Sequence, residues 1–199
     1  MIRTFFCAIA CLAMASVGTA HAGIVFDFLN EGTELGGLLD GNSSGMITIG
    51  GLTITVTANP GDFNGTASDF GINQAAGGDD TNGFDNAQAG GPGVAEGFTF
   101  SFDQDVNLMT FDVSSFSATD MIDISSGGVP IVTVDSTGST SLGNTFIAAG
   151  TNIDVITTGG TYGNGWSLDF IEANIAVPEP SSLALIGLFG LAAIGRRKR

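Results

Sequence analysis

The chain has 199 residues, with 5 Lys and Arg against 20 Asp and Glu. The bases are Arg3, Arg196, Arg197, Lys198 and Arg199, the cysteines are Cys7 and Cys11, and the one histidine is His21, so from Gly23 to Val177 there is no base and no thiol, yet every acid but Glu179. That excludes Ser-His-Asp and Cys-His catalysis, zinc fingers, Schiff bases and P-loops from this stretch, and its negative field excludes nucleic acid and anionic membrane surfaces as partners.

Residues 1–22 read as a cleavable signal peptide for signal peptidase. Met1–Thr4 is a short positive region, Phe5–Val17 is apolar, and Ala20-His21-Ala22 is a small-x-small cleavage site that makes Gly23 the mature start. Cys11 lies inside the apolar region, and Ala8-Ile9-Ala10-Cys11 lacks the Leu of a lipoprotein signal.

The body, residues 23–176, has period 2 rather than 3.6, the pattern of half-buried strands. Ile24–Leu29 puts Phe26 and Phe28 on one face. Met46–Ile49 and Leu52–Val56 flank Gly50-Gly51, a hairpin signal. Phe98, Phe100 and Phe102 alternate with Thr99 and Ser101. Val106–Val113 changes phase, which predicts a bulge near Met109-Thr110. Further strands are expected at 121–125, 130–135, 145–148, 152–157 and 166–176. Gly-rich turns at this spacing predict an all-β, antiparallel, jelly-roll-like β-sandwich of nine or ten strands. Asn59–Gly97, poor in apolar residues, reads as one long loop.

Three constellations offer chemistry. In the long loop, Asp79, Asp80, Asn82 and Asp85 around Gly83 supply the oxygen ligands that calcium takes. Asp103 and Asp105, at the turn after Phe102, are placed to join them. A solvated acidic loop is the alternative, since the spacing departs from an EF-hand. Asp27 on the first strand, with Asp169 and Glu172 on the last, suggests a structural ion joining the chain's ends; an outward-facing acid between core residues is the alternative. Tyr162 and Trp166 among glycines offer a stacking platform for a sugar, with core anchoring of Trp166 as its alternative. Two suitably placed carboxylates are all that glycoside hydrolysis needs. Yet no base is present to steer a substrate, so no enzymatic activity is expected. Trp166–Ile171 also resembles the closing strand of some carbohydrate-binding β-sandwich modules. That resemblance implies an acidic residue there holding structural calcium.

After the body come Val177-Pro178-Glu179-Pro180-Ser181-Ser182, then the uncharged run Leu183–Gly195, then Arg196–Arg199. The prolines keep the first part extended. The run reaches about 20 Å as a helix, short of a bilayer core of about 30 Å. It reads as a short transmembrane helix that holds the chain transiently in the inner membrane through 183–195, its cations cytoplasmic. Pro-Glu-Pro, an apolar helix and a basic end, in this order behind a signal peptide, resemble the PEP-CTERM sorting signal of Gram-negative bacteria. The resemblance covers residues 177–199. It implies that Pro178, Glu179 and Pro180 are recognised by exosortase, that the tail is cleaved, and that the body goes to the cell surface or extracellular matrix. It further implies an association with exopolysaccharide and biofilm.

The expected function is therefore structural or adhesive, at the surface or in polysaccharide. The second expectation is a calcium-dependent carbohydrate-binding module. The third is a carboxylate-only glycoside hydrolase.

Overall fold

The computed structural model describes residues 23–29, 38–65, 69–73, 83–84, 95–116, 118–159 and 165–176. The expected signal peptide, with Ala20 and Ala22, and the tail, with Pro178, Glu179 and Pro180, lie outside the described residues. Among the described residues no helix is long and apolar enough to cross a membrane.

The alternation of apolar and hydroxylated side chains produces antiparallel strands throughout. In chain order they are β1 (Ile24–Asp27), β2 (Ser44–Ile49), β3 (Leu52–Asn59), β4 (Asp62–Gly65), β5 (Phe70–Asn73) and β6 (Gly97–Phe102). Then come β7 (Val106–Ser114), β8 (Met121–Ser126), β9 (Val129–Val134), β10 (Gly138–Ile147), β11 (Ile153–Gly159) and β12 (Ser167–Ile175). One sheet has the order β1-β12-β7-β10, another β2-β3-β6-β11-β8-β9, and β4 pairs with β5 alone. Phe26, Phe111, Val113 and Ile171 of the first sheet share one buried cluster with Ile54, Val56, Phe100 and Val155 of the second. The body is thus all-β and sandwich-like, with the core between two antiparallel sheets.

Two local predictions hold in detail. Gly50 (φ 59°) and Gly51 (φ 85°) form the β2–β3 turn, whose twist needs positive φ at both positions. Along β7, Thr110 faces Glu172 and Leu108 faces Ala173, so Met109 is the extra residue that shifts the phase.

Two expectations change. The described residues form twelve strands, not nine or ten. β10 begins at Gly138 and runs through Gly143 and Asn144, where the sequence suggests a break. Its register slips between Ser141 and Thr145, with Asn144 at φ 58°, so the ladder resumes after a bulge. The presumed loop after Asn59 also contains β4 and β5. Their Phe63, Phe70 and Ile72, with Phe84 beyond, are all buried. Isolated apolar residues in polar sequence act here as separate anchors, invisible to a periodicity test.

The strands also define two ends. Ala176 N donates to Asp105 O at 2.8 Å, and Asp103 N donates to Thr53 O at 3.1 Å. The exit of β12, the β6–β7 turn and the start of β3 therefore share one end, here called the exit end. Ile24 faces Ala173 across β1–β12, so Gly23 begins there too. Ser114 and Ser167 pair at the opposite, far end.

Phe98 sits near the middle of the aromatic core, with ring centroids 5.3 Å from Phe84, 5.9 Å from Phe100 and 6.4 Å from Phe111. Phe98→Ala is expected to cost about 3–5 kcal/mol, read by urea unfolding.

Candidate functional site

Asp27 and Asp169 come together from the two ends of the sequence because β1 pairs with β12. Asp27 lies opposite Phe170, one residue from Asp169. Asp27 Oδ1 accepts from Leu29 N at 2.9 Å, a local turn bond. Asp169 Oδ1 accepts from Ser114 Oγ at 2.5 Å. Burial pushes the Asp169 carboxyl above its ordinary value of 3.8; the Ser114 bond opposes the rise, and Asp112, Asp27 and Asp69 add to it. Their repulsion is unrelieved because no base stands between Gly23 and Val177.

The neighbouring acids are held by hydroxyls. Ser115 Oγ donates to Asp69 Oδ1 at 3.1 Å, Thr110 Oγ1 to Glu172 Oε2 at 2.9 Å, and Ser139 Oγ to Asp112 Oδ2. Such bonds keep a carboxylate solvated by protein. They do not build a cation cage: among the described residues no group of three or more His, Cys, Asp or Glu could hold a metal ion.

Asp103 and Asp105, expected to join the loop residues Asp79, Asp80, Asn82 and Asp85, stand apart from Asp27 and Asp169. They lie at the exit end, and each ties a turn: Asp103 Oδ1 accepts from Thr53 N at 2.9 Å, and Asp105 Oδ1 from Ala149 N at 2.8 Å. The other proposed calcium ligands, Asp79, Asp80, Asn82 and Asp85, lie outside the described residues, as does Tyr162.

The sugar-platform expectation for Trp166 is corrected. Its ring is fully buried, stacked on Phe84 at 4.3 Å and 20°. Its Nε1 donates to the buried Thr157 Oγ1 at 3.0 Å. A backbone bridge between Phe84 and Trp166 fixes the stack. The large apolar surface goes inside and its one polar atom finds a partner there, which leaves no face for a sugar.

Two buried carboxyls escaped the sequence reading. Glu96 is 1 % exposed and Asp120 is 3 % exposed. The signal was present in the alternation. Glu96 has the parity of inward Phe98 and Phe100, and Asp120 that of inward Ile122 and Ile124. Thr157 N donates to Glu96 O at 3.0 Å, so Glu96 stands beside Thr157 on the sheet, at the far end.

Fold and site together define an acidic all-β body whose first and last strands pair and whose two ends leave at one side. The segment beyond the last strand identifies how this body travels. Residues 176–199 match the family model of the PEP-CTERM protein-sorting motif. The motif implies processing by exosortase, export, and C-terminal membrane anchoring before cleavage. No curated protein and no solved structure matches the chain.

The raised Asp169 pKa fixes a sign. A carboxyl raised in the fold contributes stability that is full below its unfolded value and is lost as pH rises through the folded one. Asp169→Asn keeps the oxygen that Ser114 bonds and removes the charge. It is expected to raise the melting temperature by roughly 2 °C at neutral pH, with the gain vanishing in acid. A gain that is equal at both pH values would contradict this account of Asp169.

Proposed function

We propose that the chain is a non-enzymatic structural or adhesive protein of the cell surface or extracellular matrix, associated with exopolysaccharide. The observation that carries this reading is the sorting motif at 176–199, which begins where the closing strand β12 ends. The body, which we read as a jelly-roll-like sandwich, supports it by what it offers a partner. The ionisable groups of its described surface are all carboxylates, set among many hydroxyls, with no base. That is the chemistry of a hydrated acidic matrix component rather than of a steering active site. Signal peptidase removes residues 1–22, and exosortase acts at Pro178, Glu179 and Pro180. The body is then delivered outward.

Replacing Pro178, Glu179 and Pro180 together by Ala tests the delivery. The expected result is a membrane-retained precursor, while the unsubstituted protein becomes open to protease added outside intact cells. Equal outside exposure of both proteins would refute the role of the motif.

A polyanionic body meets an acidic polysaccharide only through bridging divalent cations. Excess chelator is therefore expected to release the protein from isolated matrix, and calcium to restore binding. Matrix binding that is unchanged in chelator would overturn this part of the reading.

A further inference from the structure

We infer that β2 is a self-association edge, and that it pairs with β2 of a second copy of this chain. Sheet edges present unpaired N–H and C=O groups, which proteins blunt with charge, proline, bulges or shortness. Among the described residues the two large sheets have four edge strands: β1, β10, β2 and β9. Three are blunted. β1 has four residues and ends in Asp27. β9 carries Pro130, and its register slips against β8. β10 is broken by its bulge between Ser141 and Thr145.

β2 has none of these devices. Its sequence SGMITI is uncharged and free of proline, and all six residues pair with β3 without a slip. No residue of β2 is fully buried. Ile47 and Ile49 pack against the core yet remain partly exposed, and Met46 is 63 % exposed. A further strand would cover these positions.

Charge selects a second copy as the occupant. From Gly41 to Gly61 there is no charged residue, in a body otherwise studded with acids and lacking any base. Two copies that meet through this open, neutral edge set no carboxylates against each other. A basic partner would be drawn to the acidic remainder instead. The side-chain alternation then limits the register. Residues opposite each other in an antiparallel pair share a face. A twofold centred on Met46 satisfies this, with Met46 opposite Met46, Ser44 opposite Thr48, and Gly45, against which Leu39 packs, opposite Ile47 of the other copy.

The pairing deepens the proposed adhesive role and rests on it in one respect. β2 runs from the far end toward the exit end, since Ile49 faces Leu52 at the start of β3. Antiparallel pairing therefore sets the exit ends of the two copies at opposite ends of the pair. Two copies held by their tails in one membrane do not meet in this way. Copies on facing surfaces do, and so do copies already released.

The test uses the full chain in nonionic detergent. Sedimentation equilibrium is expected to show a dimer. The S44D/T48D variant, which sets carboxylates opposite each other, is expected to weaken it roughly tenfold or more while melting at the same temperature. With Cys7 and Cys11 replaced by Ser, M46C is expected to form an intermolecular disulfide on mild oxidation, and V129C on the β9 edge is not. A monomer throughout the micromolar range overturns the proposal, as does a dimer untouched by S44D/T48D or cross-linked through V129C alone. A β2 dimer that never reaches the cell surface sinks the functional reading and leaves the pairing intact. A surface-exposed monomer does the reverse.

Discussion

A carboxylate in this body has no cationic side chain of the body to meet, because no Lys, Arg or His stands between Gly23 and Val177. Within the fold its charge is met by dipoles. On the four-stranded sheet Asp112, Asp169 and Glu172 each take a hydroxyl from a neighbouring strand. On the six-stranded sheet Thr99 Oγ1 donates to Asp154 at 2.8 Å and Thr133 Oγ1 to Asp123 at 2.6 Å. At turns the donor is a backbone N–H, as for Asp103 and Asp105. The abundance of Ser and Thr on outward positions is thus the counterpart of the missing bases. Such bonds survive high salt better than surface ion pairs, whose attraction is screened.

The same constraint shapes the interior. With no disulfide available to the body, cohesion falls to apolar burial, and the aromatic rings supply much of it. Phe63, Phe70, Phe84 and Trp166 form a continuous run, with successive centroids 5.2, 6.2 and 4.3 Å apart. This run draws β5 and the bridge at Phe84 onto β12, so Phe70–Asn73 and Phe84 are held against the closing strand. The exit end is left to short turns stapled by aspartates.

Most of the architecture was legible because alternation is a strong signal where it lasts. Phe98, Phe100 and Phe102 announced β6, and the phase slip in β7 located the bulge that Met109 makes. Legibility failed where a single residue decides the outcome. Phe63, Phe70 and Phe84 are anchors spaced too widely to give a period. Gly143 and Asn144 look like a strand end, yet the ladder resumes beyond them. At the candidate site, the meeting of Asp27 with Asp169 was readable from the supposition that first and last strands pair. The buried state of Trp166 was not, because an indole serves a core and a sugar platform equally well until its neighbours are known. Glu96 and Asp120 were readable in principle, one alternation step before strands already identified.

The pairing of β1 with β12 has a consequence in time. β1 has one sheet neighbour among the described residues, and that neighbour is the last strand of the body. A chain that emerges N-terminus first therefore holds its first strand without its partner until nearly the whole body has appeared. So non-local a closure makes folding slow to begin. The step that completes the four-stranded sheet also brings out the residues just ahead of the sorting motif. Completion of the fold and presentation of the tail are thereby placed next to each other in the order of events, so a body truncated before β12 would carry neither a closed sheet nor an address.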